Sequence, residues 1–111
     1  MFVAMNRFQV NAGQETAFEE MWGSRETYLQ EVPGFMAFSL LRNGQANEDK
    51  TTEYISHSTW NSREDFDAWT QSEAFSRGHA QGSVQGILAG PPAVSLYDTV
   101  LHQDKSPAGS R

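Results

Sequence analysis

An α+β sandwich with the element order βαββαβ, the ferredoxin-like arrangement, is the fold that this 111-residue sequence predicts. Three observations carry it. Residues 2–10 alternate in the manner of a strand. Two later stretches repeat apolar residues at three- and four-residue steps, and the segments between and after them are rich in β-branched and aromatic residues. The length suits one domain with one core.

The elements follow in order. The first strand places Phe2, Ala4, Asn6, Phe8 and Val10 on one face and Val3, Met5, Arg7 and Gln9 on the other. Asn11-Ala-Gly13 makes a turn. Phe18, Met21, Trp22, Arg25, Tyr28 and Leu29 then define a helix over about 14–31, acidic near its start, which Pro33-Gly34 stops. The run 35–41 is apolar on both alternating faces, as in a strand covered on both sides, and polar residues 43–51 connect it to a third strand over 53–60. Asn61 or Ser62 caps the second helix, with Glu64 or Asp65 in its first turn and Phe66, Trp69 and Thr70 on one face. Ser72 restarts it, setting Phe75 and His79 four residues apart on one side. Glycines recur at 78, 82, 86 and 90, a spacing hostile to regular helix, so 80–90 is expected to form a mobile flap. After Pro91-Pro92, Val94, Leu96, Tyr97 and Val100 mark the fourth strand. The domain is expected to span 1–101, with 102–111 a polar, disordered tail.

Composition narrows the function. A net charge of -6, from eight basic and fourteen acidic side chains, leaves no basic stripe for nucleic acid. The absence of cysteine removes disulfides, thiolate metal ligands and iron–sulfur clusters, and is compatible with a reducing compartment. No leader pattern and no apolar run of membrane-spanning length is visible, so a cytoplasmic protein without a membrane partner is the expectation. Two helices cover only one face of the sheet. With Met36, Phe38, Leu40, Val3 and Met5 assigned to the other, a homodimer formed sheet against sheet is expected.

Pro33-Gly34-Phe35 together with Trp60-x-Ser62-x-x-x-Phe66-x-x-Trp69 resembles the antibiotic biosynthesis monooxygenase superfamily of dimeric α+β barrels, over about residues 1–101. Within it, Asn6, Trp69 and His79 resemble the Asn/Trp/His triad of the IsdG-type haem-degrading monooxygenases. The resemblance implies that His79 is the axial iron ligand, that Asn6 lies near the iron-bound oxygen, and that Trp69 presses on the macrocycle. It further implies Arg25 as a contact to a haem propionate and, with haem as both substrate and cofactor, a requirement for dioxygen. No flavin or dinucleotide fingerprint is present, so electrons would come from an external reductant or reductase. Phe75, paired with His79, completes the expected haem-binding set of Asn6, Arg25, Phe75 and His79. An amide, an indole and an imidazole supply neither nucleophile nor carboxylate pair, which leaves hydrolysis little to work with.

Blander readings stand beside these. His79 could be a helical histidine, Asn6 a core amide satisfied by backbone, and Trp69 a core aromatic. Trp22 and Trp60 are read as core, and His57 and His102 as structural or solvated. Two other functions stay open: a cofactorless monooxygenase acting on a quinol or polyphenol, with His79 as proton acceptor, and a non-catalytic haem carrier or stress-response dimer.

Overall fold

The computed structural model describes residues 1–25, 28–73, 75 and 86–105. Its elements are β1 (Phe2–Val10), α1 (Glu15–Ser24), a single 3-10 turn (Leu29–Glu31), β2 (Phe35–Arg42), β3 (Thr52–Trp60), α2 (Arg63–Thr70) and β4 (Ala93–Asp98). The four strands form one antiparallel sheet in the order β2-β3-β1-β4, so the chain has the ferredoxin-like α+β fold that the sequence predicts.

Alternation decides which side chains the helices cover. Phe2, Ala4, Phe8 and Val10 are buried, and their cross-strand partners Trp60, Ser58, Tyr54 and Thr52 point to the same side. Two clusters fill that side. One gathers Phe2, Ala4, Leu29 and Trp60 with Phe66 and Trp69 of α2; the other gathers Phe8, Val10, Phe18 and Tyr54 with Met21 and Trp22 of α1. Burying each such aromatic is worth about 1.5–3 kcal/mol.

In β2 the register shifts between Phe35 and Ala37, a bulge that resets the alternation. Phe35 lies opposite Trp60, and beyond the bulge Phe38 and Leu40 lie opposite Ser58 and Ser56, all on the helix side. The assignment of Phe38 and Leu40 to the uncovered face is therefore corrected: the extra residue reverses the phase that simple alternation would give. Val3 and Met5 do lie on the uncovered face, with Ile55, His57 and the exposed Leu41 and Tyr97.

The first helix is shorter than expected. It ends at Ser24, where Gly23 is a weak helix former and the Ser24 hydroxyl donates to the Met21 carbonyl at 3.2 Å. Arg25 is already extended, and Tyr28 adopts a left-handed φ of 59° before the 3-10 turn. At α2, Ser62 is the cap, its Oγ accepting from the Asp65 N–H at 3.2 Å. β4 stops at Asp98, leaving Val100 and Leu101 outside it and exposed.

Part of the expected flap is anchored. Asn11 N–H donates to the Ile87 carbonyl at 2.8 Å, Ala89 N–H donates to Gln9 at 2.7 Å, and Val10 bridges Leu88. Residues 86–90 are thus an appendage of β1, while 76–85 lie outside the described residues. Of the expected tail, 102–105 are exposed and form no helix or strand, and 106–111 likewise lie outside the description.

Beneath α1 the Tyr54 hydroxyl, almost wholly buried, donates to Glu19 Oε2 at 2.5 Å, and Arg42 Nη1 donates to the same oxygen at 2.8 Å. Burial, reinforced by the Glu19 charge, raises the Tyr54 phenol to about 12. A phenol raised in the folded state contributes stability that is intact below its unfolded value near 10 and is lost as pH rises towards 12. Thermal melts across this window are expected to show declining stability, and Tyr54→Phe is expected to flatten the decline.

Candidate active site

Between the helix side of the sheet and the helices lies a cavity of about 510 Å³. Its walls come from four directions. β1 contributes Asn6, set between Ser56 of β3 and Val94 of β4, so that a rigid three-strand ladder holds the amide. α1 contributes Met21 and Trp22, with Arg25 just beyond its end. α2 contributes Phe66 and Trp69, and Phe75 follows. The bulge in β2 brings Phe38 to the same space.

Trp69 is firmly mounted. Trp60 backs it with ring centroids 5.2 Å apart and planes 33° apart, while Phe75 meets it edge-on at 4.8 Å and 83°. Ser72 fixes the chain between these two rings: its hydroxyl donates to the Trp69 carbonyl at 2.6 Å and accepts from the Phe75 N–H at 3.2 Å. A helical restart was expected at this serine; the Ser72–Phe75 bond is the part of it that the described residues show, and 74 and 76–85 lie outside them.

The polar groups are few. Asn6 Oδ1 is enclosed and has no hydrogen-bond partner among the described residues, against the usual satisfaction of buried polar atoms. The expectation of a core amide satisfied by its neighbours therefore fails for that oxygen. The Arg25 guanidinium stands 4.4 Å over the Trp22 ring, and burial holds its pKa below the ordinary arginine value, leaving it cationic near neutrality. Trp22 in turn stacks on Phe38 at 5.6 Å with 22° between the planes. An apolar slot with an amide on one wall and a cation on another suits a flat aromatic molecule bearing an anionic edge.

Four of the residues singled out from the sequence, Asn6, Arg25, Trp69 and Phe75, line this one cavity. His79 lies outside the described residues. Sequence reasoning missed Trp22, read as core, and Phe38, read as facing the other way; both are cavity walls. The available signal for Trp22 was its place three residues before Arg25. Nothing short of recognising the bulge would have found Phe38. Trp60, with no exposed surface, is core as expected.

The sequence profile of the antibiotic biosynthesis monooxygenase family matches residues 1–81. The chain belongs to that family. As a member of the antibiotic biosynthesis monooxygenases it is similar to the staphylobilin-producing haem oxygenase of Staphylococcus haemolyticus, with 31% identity over 80 residues, 71% of this chain and 73% of the relative. It is also similar in structure to the haem degrader MhuD of Mycobacterium tuberculosis, solved with two haems bound in its active site: TM-score 0.74 and 27% identity, covering 94% of this chain and all of that one. The cofactor-independent oxygenase SnoaB of Streptomyces nogalater shares the fold, with TM-score 0.65 at 18% identity, over 94% of this chain and 97% of that one. The resemblance read from the tryptophan motifs is thus borne out. Among the described residues no helix is long and apolar enough to cross a membrane.

Proposed function

We propose that this monooxygenase family member degrades haem, opening the macrocycle with dioxygen and electrons from an external reductant and releasing iron. The observation that carries the reading is the apolar slot itself: Asn6, Arg25, Trp69 and Phe75, separated by up to 69 positions in sequence, line one cavity, and the enclosed Asn6 oxygen has no hydrogen-bond partner among the described residues. The similarity to two haem-degrading proteins supports it. The donor set fits the substrate: aromatic and aliphatic walls for the macrocycle, a guanidinium for a propionate, and an amide for a polar group at the centre of one face.

Haem supplies the redox-active iron and is also the molecule opened. The chain supplies the rest. His79, carried over from the family triad, would hold the iron. Asn6, rigid on β1, would supply a hydrogen bond to a polar group at the macrocycle. Trp69, braced by Trp60 and Phe75, resists displacement and bends a macrocycle pressed against it. Arg25 holds a propionate, and the enclosing apolar walls exclude water. The uncovered sheet face, bearing Val3, Met5, Ile55, Leu41 and Tyr97, supports assembly as a homodimer, and a cysteine-free chain is compatible with a cytoplasmic site of action.

A haem titration of the apoprotein followed by ascorbate in air tests the proposal. Saturable binding of at least one haem per chain and subsequent loss of the Soret band are expected. Haem bound but never consumed would instead identify a carrier. No specific haem binding would favour the second reading, a cofactorless quinol or polyphenol monooxygenase, which the same apolar slot and the SnoaB-like fold also support.

A further inference from the structure

Trp22 has a property that packing alone does not explain. Its ring is well used, stacked on Phe38 and meeting Phe8 and Phe18 at 6.0 and 6.4 Å in edge contacts. Its indole nitrogen is not: Nε1 is enclosed and has no acceptor among the described residues. A phenylalanine would keep aromatic contact with all three neighbours and leave no donor unmet, whereas an enclosed indole N–H without a partner is a cost to the folded protein. Trp60 shows the ordinary solution, its Nε1–H donating to Ser58 Oγ at 3.0 Å.

The position of Trp22 suggests what the unmet donor serves. Trp22 lines the cavity, and the guanidinium of Arg25 lies over its ring, so an indole and a cation share one wall, with the indole N–H enclosed beside it. No carboxylate side chain lines the cavity among the described residues. We propose that Trp22 Nε1–H and Arg25 form a two-donor subsite for a carboxylate on the edge of the planar ligand, with the indole tilting to meet it. Resting on the haem reading, this assigns to Trp22 the recognition of a propionate and makes it a residue that separates carboxylate-bearing macrocycles from uncharged ones. Hydrogen bonds to a charged acceptor are about twice as strong as neutral ones, so the discrimination falls on the free acid.

Trp22→Phe, checked for folding by thermal melting, is titrated with metal-free protoporphyrin IX and with its dimethyl ester, read by porphyrin absorbance. Affinity for the diacid is expected to fall about tenfold or more, the scale of a lost bond to a charged group, and affinity for the ester by less than about threefold. Arg25→Gln, which leaves the indole in place, is expected to erode the same preference for acid over ester. Equal weakening toward both porphyrins in Trp22→Phe, or none toward either, overturns the subsite. If wild-type protein takes up haem and protoporphyrin while Trp22→Phe behaves identically, this inference alone fails. If wild-type protein takes up neither, the haem reading and the subsite fail together.

Discussion

Replacing His79 with alanine is expected to weaken haem binding by more than the roughly 10–100-fold that loss of an outer partner of a metal ligand costs, and to abolish ascorbate-driven loss of the Soret band. The reasoning is direct. In the proposed function the imidazole is the iron's bond to the protein, and the remaining contacts are apolar walls, the propionate subsite and the Asn6 amide, none of which binds the iron. Metal-free protoporphyrin IX, which has no iron to ligate, should bind wild type and His79→Ala with similar affinity. Added imidazole should restore part of the haem absorbance signature by occupying the vacated position. Unchanged haem affinity in His79→Ala would remove the ligand role and favour the cofactorless reading, in which the histidine accepts a proton from an organic substrate.

Gly34→Ala is expected to be among the most damaging small substitutions in the chain, costing about 2–4 kcal/mol in stability from backbone strain and overlap combined. Gly34 has φ +82°, and a Cβ there would come within 3.0 Å of the side chain of Asp65 in the first turn of α2. The Gly34 carbonyl also accepts from the Asn61 N–H at 2.8 Å, tying the turn before β2 to the start of α2. Gly13 provides the comparison: its φ is +84° but a Cβ would meet nothing within 4 Å, so Gly13→Ala should cost only about 1 kcal/mol. Urea denaturation of both variants measures the difference. Equal losses would show that the close approach of Asp65 is absorbed without cost. Because α2 carries Phe66 and Trp69, displacement at Gly34 should also loosen the cavity wall.

Much of the fold was legible because strand alternation and helix spacing are local properties. β1 is found where alternation put it, and the cap at Ser62 and the bond of Ser72 to Phe75 follow from side-chain chemistry within three residues. The end of α1 was not read, although Gly23-Ser24 carried the signal, because the apolar spacing continues through Leu29 while the backbone does not. The candidate site was legible as a set of residue types, Asn6, Arg25, Trp69 and Phe75, through resemblance to a family. Its walls were less so. Trp22 and Phe38 are defined by how an unforeseen helix end and a strand irregularity aim them, and such aim depends on tertiary contacts that no local pattern encodes.

The bulge at the start of β2 can be understood as a matter of parity. In β1, β3 and β4 the even-numbered residues face the helices: Ala4, Asn6 and Phe8; Tyr54, Ser56 and Ser58; Val94 and Leu96. β2 enters the sheet on odd parity at Phe35 and leaves it on even parity at Phe38 and Leu40. One strand thereby supplies aromatic rings to both ends of the same face, Phe35 against Trp60 in the core and Phe38 against Trp22 at the cavity, from positions three apart that an unbroken strand would point in opposite directions. A single supernumerary residue thus joins the site to the core, and the spacing of this strand, more than the identity of any one of its residues, fixes where the cavity wall stands.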